Sequence, residues 1–275
     1  MVWSSNFNGP ANTVPNGWTF EVGGSGWGNH EQEYYVDRAQ DQITHNAVLN
    51  GRGDLAITAR LNDDAAMQCS YDAAGSYLPT GTTCAYTSAR LDTSDIPAAD
   101  PTYGRIEARI KLPQGAGIWP AFWALGSDFP TVSWPECGEI DVMETLSRTP
   151  GTVYAHLHGP RTADPWAPWQ EPKAARAAAY TLPAGQAFSS GFHVFAADWY
   201  PDRISFSVDG HVYETIAKSD LPRGAAWVFD HSFYLLLNIA VGSARSPSGG
   251  PDATTVFPQT MLVNWVRIYS ADGRN

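Results

Sequence analysis

The sequence has no run of about 18 apolar residues, the length a helix needs to cross a bilayer, so no membrane span is expected. It has no heptads, no internal repeat and no linker-like tract, which sets aside coiled coils, solenoids and tethered modules. Basic residues are scarce: 17 Lys and Arg stand against 28 Asp and Glu, a net charge of −11. That sign disfavours nucleic acid, anionic membranes and polyanionic polysaccharides as partners, and suits a neutral one. The opening stretch, MVWSSNFNGP, lacks the basic head and apolar core of an export signal. Two expectations remain, a cytosolic protein or a mature form without its signal. Three cysteines are too few to define the compartment. Cys69 and Cys84 flank a turn-rich segment, CSYDAAGSYLPTGTTC, and are expected to close it as a disulfide. A loop of about 15 residues gains roughly 3 kcal/mol from such closure in the chain-entropy view. Cys137, just ahead of an acidic strand, is expected as a buried free thiol rather than a nucleophile.

What the chain has in quantity is apolar and aromatic surface. Its 275 residues are 43% apolar, with 11 Trp, 12 Tyr and 11 Phe, ample for one large core. The aromatic excess fits either a flat-faced ligand such as a sugar ring or the ordinary preference of Trp and Tyr for strands. Strand-like runs recur between Gly, Pro, Asn and Asp clusters: 104–112, 193–200, 203–210 with a turn at Asp209-Gly210, 232–241 and 261–270. The run 232–241, SFYLLLNIAV, reads as buried on both faces. Only PKAARAAAY, 172–180, has a helical look, and a loop insertion explains it equally well. Many short strands without intervening helices indicate an all-β sandwich of two antiparallel sheets, folded as one domain over 1–275.

One strand carries unusual chemistry. GEIDVMET, 138–145, holds Glu139, Asp141 and Glu144 among Ile, Val and Met. Side chains alternate faces along a regular strand, so Glu139 and Asp141 share a face while Glu144, five positions from Glu139, points away. Acids facing water explain the first two but not the apolar Val142-Met143 pair before the third. A β-bulge at that pair returns Glu144 to the face of the others. The two glutamate Cα atoms then stand roughly 13 Å apart along the strand. Their carboxyls can approach to about 5–6 Å, the spacing of a retaining glycosidase.

GEIDVMET resembles the E-x-D-x-x-E signature of family-sixteen glycoside hydrolases, on the laminarinase side of that family. The stretches GWGNHEQEYY (26–35), YTSARLDT (86–93), YGRIEARIKLPQGAGIWPAFWALG (103–126), WPECGEIDVME (134–144), HGP (158–160) and LNIAVG (237–242) extend the resemblance over nearly the whole chain. It implies a concanavalin-like β-jelly-roll with a concave glycan cleft and an endo-acting, retaining β-1,3-glucanase that is secreted or held in the cell envelope. It also implies a monomer with no nucleic-acid or membrane partner and no required cofactor. By position, Glu139 matches the nucleophile, Glu144 the acid/base and Asp141 the assisting carboxylate. Trp119, Trp123 and Trp134 match cleft tryptophans on which pyranose faces stack. Asn29 and Arg90 match polar sugar contacts, and His158 the histidine near the acid/base. Core packing of the tryptophans and a surface ion pair of Arg90 are the plainer alternatives.

His156 and His158 share a strand face, which a metal site could use, but no third ligand is evident in the sequence. There is no G-x-S-x-G elbow for a serine triad. Trp166 and Trp169 either line the leaving-group side or anchor a Pro-rich loop. Relatives often hold a structural calcium, and the matching positions are Asn6, Gly51 and Asn264. Relatives usually have Asp where Asn264 stands, which weakens the implied site. The stretch GSARSPSGGPD, 242–252, also departs from the family pattern beside the cleft. Rival readings are action on mixed-linked β-1,3-1,4-glucan or agarose, and a non-catalytic β-glucan-binding protein. A pure binder gives no reason to keep three clustered carboxylates.

Overall fold

The structure is a computed structural model and describes residues 1–37, 46–146, 149–161, 169–171 and 178–271. Strands are numbered in chain order. One sheet contains β1 (Trp3–Ser5), β3 (Glu33–Tyr35), β4 (Ala47–Leu49), β5 (Leu55–Leu61), β6 (Tyr86–Ser88), β8 (Gly104–Lys111), β14 (His193–Tyr200), β15 (Arg203–Val208), β16 (His211–Ala217) and β18 (Gln259–Tyr269). The other contains β2 (Thr19–Glu21), β7 (Arg90–Asp92), β9 (Ile118–Gly126), β10 (Glu139–Glu144), β11 (Thr152–Gly159), β12 (Trp169–Glu171), β13 (Ala178–Thr181) and β17 (Phe233–Val241). The second sheet runs β12-β11-β10-β9-β17-β7-β2, with β13 also on β11. The acidic strand β10 is thus an interior strand, hydrogen-bonded on both sides.

The two sheets enclose one main core, as a sandwich must to bury the inner face of each. β17 is buried at every position. Phe233, Leu235, Leu237, Ile239 and Val241 enter the inter-sheet core. Tyr234 and Leu236 point the other way and pack with Leu125 and Cys137 under Trp123. A continuous apolar run is what this double burial requires. At the 203–217 hairpin, Asp209 and Gly210 adopt φ of 50° and 81°. A two-residue primed turn demands that conformation.

The expected strands at 104–112, 193–200, 203–210, 232–241 and 261–270 are all present within a residue or two. Two details differ. β3 and β6 pair in parallel, so the first sheet is mixed. Of the stretch 172–180, residues 172–177 lie outside the described residues, and Ala178–Tyr180 falls in β13, which pairs with β11. Trp166 also lies outside the described residues. Trp169 belongs to β12, whose backbone pairs opposite Gly159. Cys69 and Cys84 form the expected disulfide, and Cys137 is buried and free.

The calcium positions can be tested on their donors. β1 pairs with β18, Ser5 opposite Val266. Asn6 therefore follows beside the Asn264 segment, lining a surface cavity of about 500 Å³. The Asn264 amide, however, is fully engaged. Its Nδ2 donates to Gly53 O at 3.0 Å and to Asp54 Oδ1 at 2.9 Å. Its Oδ1 accepts from Arg109 Nη1 at 2.9 Å. Gly51 sits with φ +73° against Ala11. The side-chain oxygen of Asn264 already faces a guanidinium, so the amide is a poor calcium ligand and a cation here would depend on main-chain oxygens. Thermal unfolding with excess calcium and with excess EDTA is expected to give midpoints within about 2 °C of each other, under roughly 1 kcal/mol of linkage for a domain this size. A midpoint that rises by several degrees in calcium contradicts this reading.

Candidate active site

The alternation of β10 breaks where the sequence requires it. Glu139, Ile140 and Asp141 pair in regular order with His158, Leu157 and His156 of β11, but Glu144 is next in line opposite Tyr154. On the β9 side, Asp141 faces Trp123 and Met143 faces Phe122, with Val142 as the extra residue. Ile140, Val142 and Met143 all lie in the inter-sheet core. Two successive side chains on one face are the mark of a bulge, and the phase change sends Glu144 outward with Glu139 and Asp141.

The three carboxyls meet partners from the neighbouring strands. His158 Nε2 lies 2.9 Å from Asp141 Oδ2 and 3.7 Å from Glu139 Oε1. His156 Nδ1 lies 2.6 Å from Glu144 Oε1. Trp119 Nε1 donates to Glu144 Oε2 at 2.7 Å. The histidine next to Glu144 is therefore His156, not His158 as the resemblance implied. The reason is register: His158 stands opposite Glu139 and His156 opposite Asp141, and the bulge slides Glu144 toward the latter. No sequence spacing shows which of two same-face histidines the shifted acid reaches.

Burial and mutual charge set the proton affinities. Burial, then the neighbouring Asp141 charge, push Glu139 up to about 8, against the opposing pull of His158. Burial disfavours charge on His158, but Glu139 and Asp141 outweigh it and hold the imidazole at about 9. His156 follows the same logic: burial lowers it, and the contact with Glu144 raises it further. Glu139, Asp141 and His158 offer ligand atoms within 4.8 Å of one another, as do Asp141, Glu144 and His156. Beside these carboxylates both imidazoles favour the charged form, which suits proton chemistry.

A row of side chains leads away from the carboxyls across β9, β17 and β7. The Trp123 Nε1 donates to Asn238 Oδ1 at 2.9 Å. Asn238 Nδ2 donates to Tyr35 Oη, whose hydroxyl donates to Glu31 Oε2. Glu31 Oε1 accepts from Asn29 Nδ2 at 3.2 Å. The Arg90 guanidinium lies 4.7 Å from the ring centres of both Trp27 and Trp123 and pairs with Glu21. Arg90 is thus an ion-pair member and also a planar cation between two indoles. On the other side of the carboxyls, Trp134 is 42% exposed, with its ring 6.2 Å from that of His158. The structure brings Trp119, Trp123, Trp134, Asn29, Arg90 and His158 to this one face or its rim. Sequence reasoning passed over Trp27, Glu31, Asn238 and the role of His156. GWGNHEQEYY and LNIAVG contain three of them, but their contacts cross strands far apart in the chain.

Residues 56–267 match the family model for glycosyl hydrolases family 16. Over 98% of its length the chain is 35% identical to a beta-glucanase of Rhodothermus marinus, covering 84% of that protein. It is 30% identical over 98% of its length to glucan endo-1,3-beta-glucosidase A1 of Niallia circulans, of which it spans 37%. Among solved structures, the laminarinase catalytic domain of Thermotoga maritima MSB8 matches with a TM-score of 0.79 at 40% identity, over 98% of this chain and 97% of that one.

The proton affinities carry a stability consequence. The folded protein keeps a proton on Glu139 from about 4.5 to about 8, and on His158 from about 6.5 to about 9, where the unfolded chain has released both. The native state binds the extra protons, so stability falls as pH rises through this window. Glu139→Gln removes the first linkage. Its melting temperature is expected to gain on the wild type progressively from pH 5 to pH 9. A difference that stays constant over that range contradicts the assignment.

Proposed function

The chain belongs to glycosyl hydrolases family 16, and on that footing we propose that it is an endo-acting β-1,3-glucanase that retains anomeric configuration. The observation that carries the reading is the break in β10 that sets Glu139, Asp141 and Glu144 on one face. Glu139 is the nucleophile. It attacks the anomeric carbon and forms a covalent glycosyl ester, while Glu144 gives its proton to the departing glycosidic oxygen. Water then attacks the anomeric carbon, Glu144 takes the water's proton, and the bond to Glu139 breaks so that it leaves as carboxylate. Two inversions give net retention.

The neighbours tune each role. Burial and the Asp141 carboxylate raise the proton affinity of Glu139, and His158, 3.7 Å from its Oε1, opposes that rise. Glu139 attacks in its ionised form, which the neighbouring imidazolium favours. Glu144 Oε1 lies 2.6 Å from His156 Nδ1, and the Trp119 indole donates to its other oxygen. Trp134, Trp123 and the half-buried Trp119 stack against sugar faces, and Asn29 and Arg90 hydrogen-bond hydroxyls.

The substrate is a neutral β-1,3-glucan, in keeping with the acidic surface, and residues 1–275 form the catalytic unit as a monomer. The Cys69–Cys84 disulfide favours an oxidising location outside the cytosol. No helix among the described residues is long and apolar enough to cross a membrane. The intact carboxylate set separates this reading from a pure glucan-binding role, which has no use for it.

Proton NMR of the first products from laminarin is expected to show the β-anomer before mutarotation, and Glu139→Gln to lower turnover by at least about 10³-fold while still binding laminarin. Initial α-anomer, or hydrolysis retained in Glu139→Gln, contradicts the mechanism.

A further inference from the structure

The disulfide-closed loop 69–84 ends in an aromatic surface that the catalytic reading leaves unused. Tyr77 is 81% exposed, the highest value among the large exposed apolar side chains. Its ring lies 4.7 Å from that of Tyr71 at an interplanar angle of 34°. Tyr71 in turn meets the His30 ring edge-on at 4.6 Å. The Tyr71 ring rests directly on Gly26: a Cβ there would come within 2.2 Å of its carbons. Gly26 adjoins Trp27, which faces Arg90, which faces Trp123, which stands opposite Asp141 in the sheet register. The tyrosines therefore adjoin the row of aromatic and cationic side chains at its Trp27 end, through the Gly26 backbone.

The loop holds these rings in place. Besides the Cys69–Cys84 bond, Ser70 N donates to Gly24 O at 2.9 Å and Ala244 N donates to Ala73 O at 2.8 Å. The Asp72 carboxylate accepts from the backbone N–H of Ala74 and Ser76. Gly75 packs against Arg245 and Ser243, within the stretch 242–252 that departs from the family pattern. The platform is thus ordered before any ligand arrives, which lowers the entropic cost of using it. Exposed, rigid tyrosine rings offer flat apolar faces with a polar edge, the complement of a pyranose ring.

We propose that Tyr77, tilted against Tyr71, is a distal binding platform for a neutral β-1,3-glucan chain, engaging sugars of the bound chain beyond Arg90. This rests on the β-glucanase reading. The occupant is a continuation of the chain held at the carboxyls, because the Tyr71 ring rests on Gly26, next in the chain to Trp27 at the end of the row that starts from Trp123. On this proposal long chains reach the platform and short oligosaccharides held at the carboxyls do not, so the platform favours long chains.

The test compares Glu139→Gln with the double variant Glu139→Gln/Tyr77→Ala in calorimetric titrations with laminarin and with laminaritriose. The ratio of laminarin to laminaritriose affinity is expected to fall about three- to tenfold in the double variant, the reach of one aromatic stacking contact. Tyr77→Trp in the same background should restore it. An unchanged ratio overturns the platform while wild-type cleavage of laminarin leaves the parent reading standing. A wild-type protein that neither cleaves laminarin nor, as Glu139→Gln, binds it overturns both.

Discussion

A strand inside a sheet can turn two neighbouring side chains into the core only by giving up its alternation, and the chemistry of this protein depends on one such break. Val142 and Met143 both enter the core, and Glu144 thereby emerges on the face that already carries Glu139 and Asp141. The flanking strands hold the irregularity on both sides, with Ile140 and Asp141 paired before it and Glu144 after it. The cost of a locally broken ladder is offset by two more apolar side chains in a close-packed interior. The apolar pair is therefore what aims the third acid.

Three carboxyls so close together need compensation, and the surrounding strands supply it. His158 serves the Glu139–Asp141 pair, and His156 with the Trp119 indole serves Glu144. Each partner is one strand away, so the sheet register, rather than any local loop, fixes the electrostatics. The same economy recurs further along the face. Trp123, Asn238, Tyr35, Glu31 and Asn29 form one hydrogen-bonded line from the sheet floor to its rim. A change at a buried member of that line moves groups that face the ligand.

Much of this was legible in the residues. The continuous apolar run 232–241 announced a doubly buried strand, Asp209-Gly210 announced the hairpin of β15 and β16, and the out-of-phase Glu144 announced the bulge. The spacing of Cys69 and Cys84 announced their bond. What stayed hidden was cross-strand. The pairing of His156 rather than His158 with Glu144, the seat of Arg90 between two indoles, and the capture of the Asn264 oxygen by Arg109 all join residues tens to hundreds of positions apart. A single sequence encodes such contacts only through register, which local pattern does not give. The parallel pairing of β3 and β6 escaped for the same reason.

The central claim is that the break in β10 gives its two glutamates complementary roles on one bound sugar. Azide rescue with an activated β-laminaribioside tests it most directly, because azide reports which carboxylate is missing. The account predicts that Glu144→Ala with azide yields the β-glycosyl azide, formed by attack on the intact Glu139 ester, and that Glu139→Ala yields the α-azide by direct displacement. The reverse pairing of anomers, or no glycosyl azide from either variant, contradicts it.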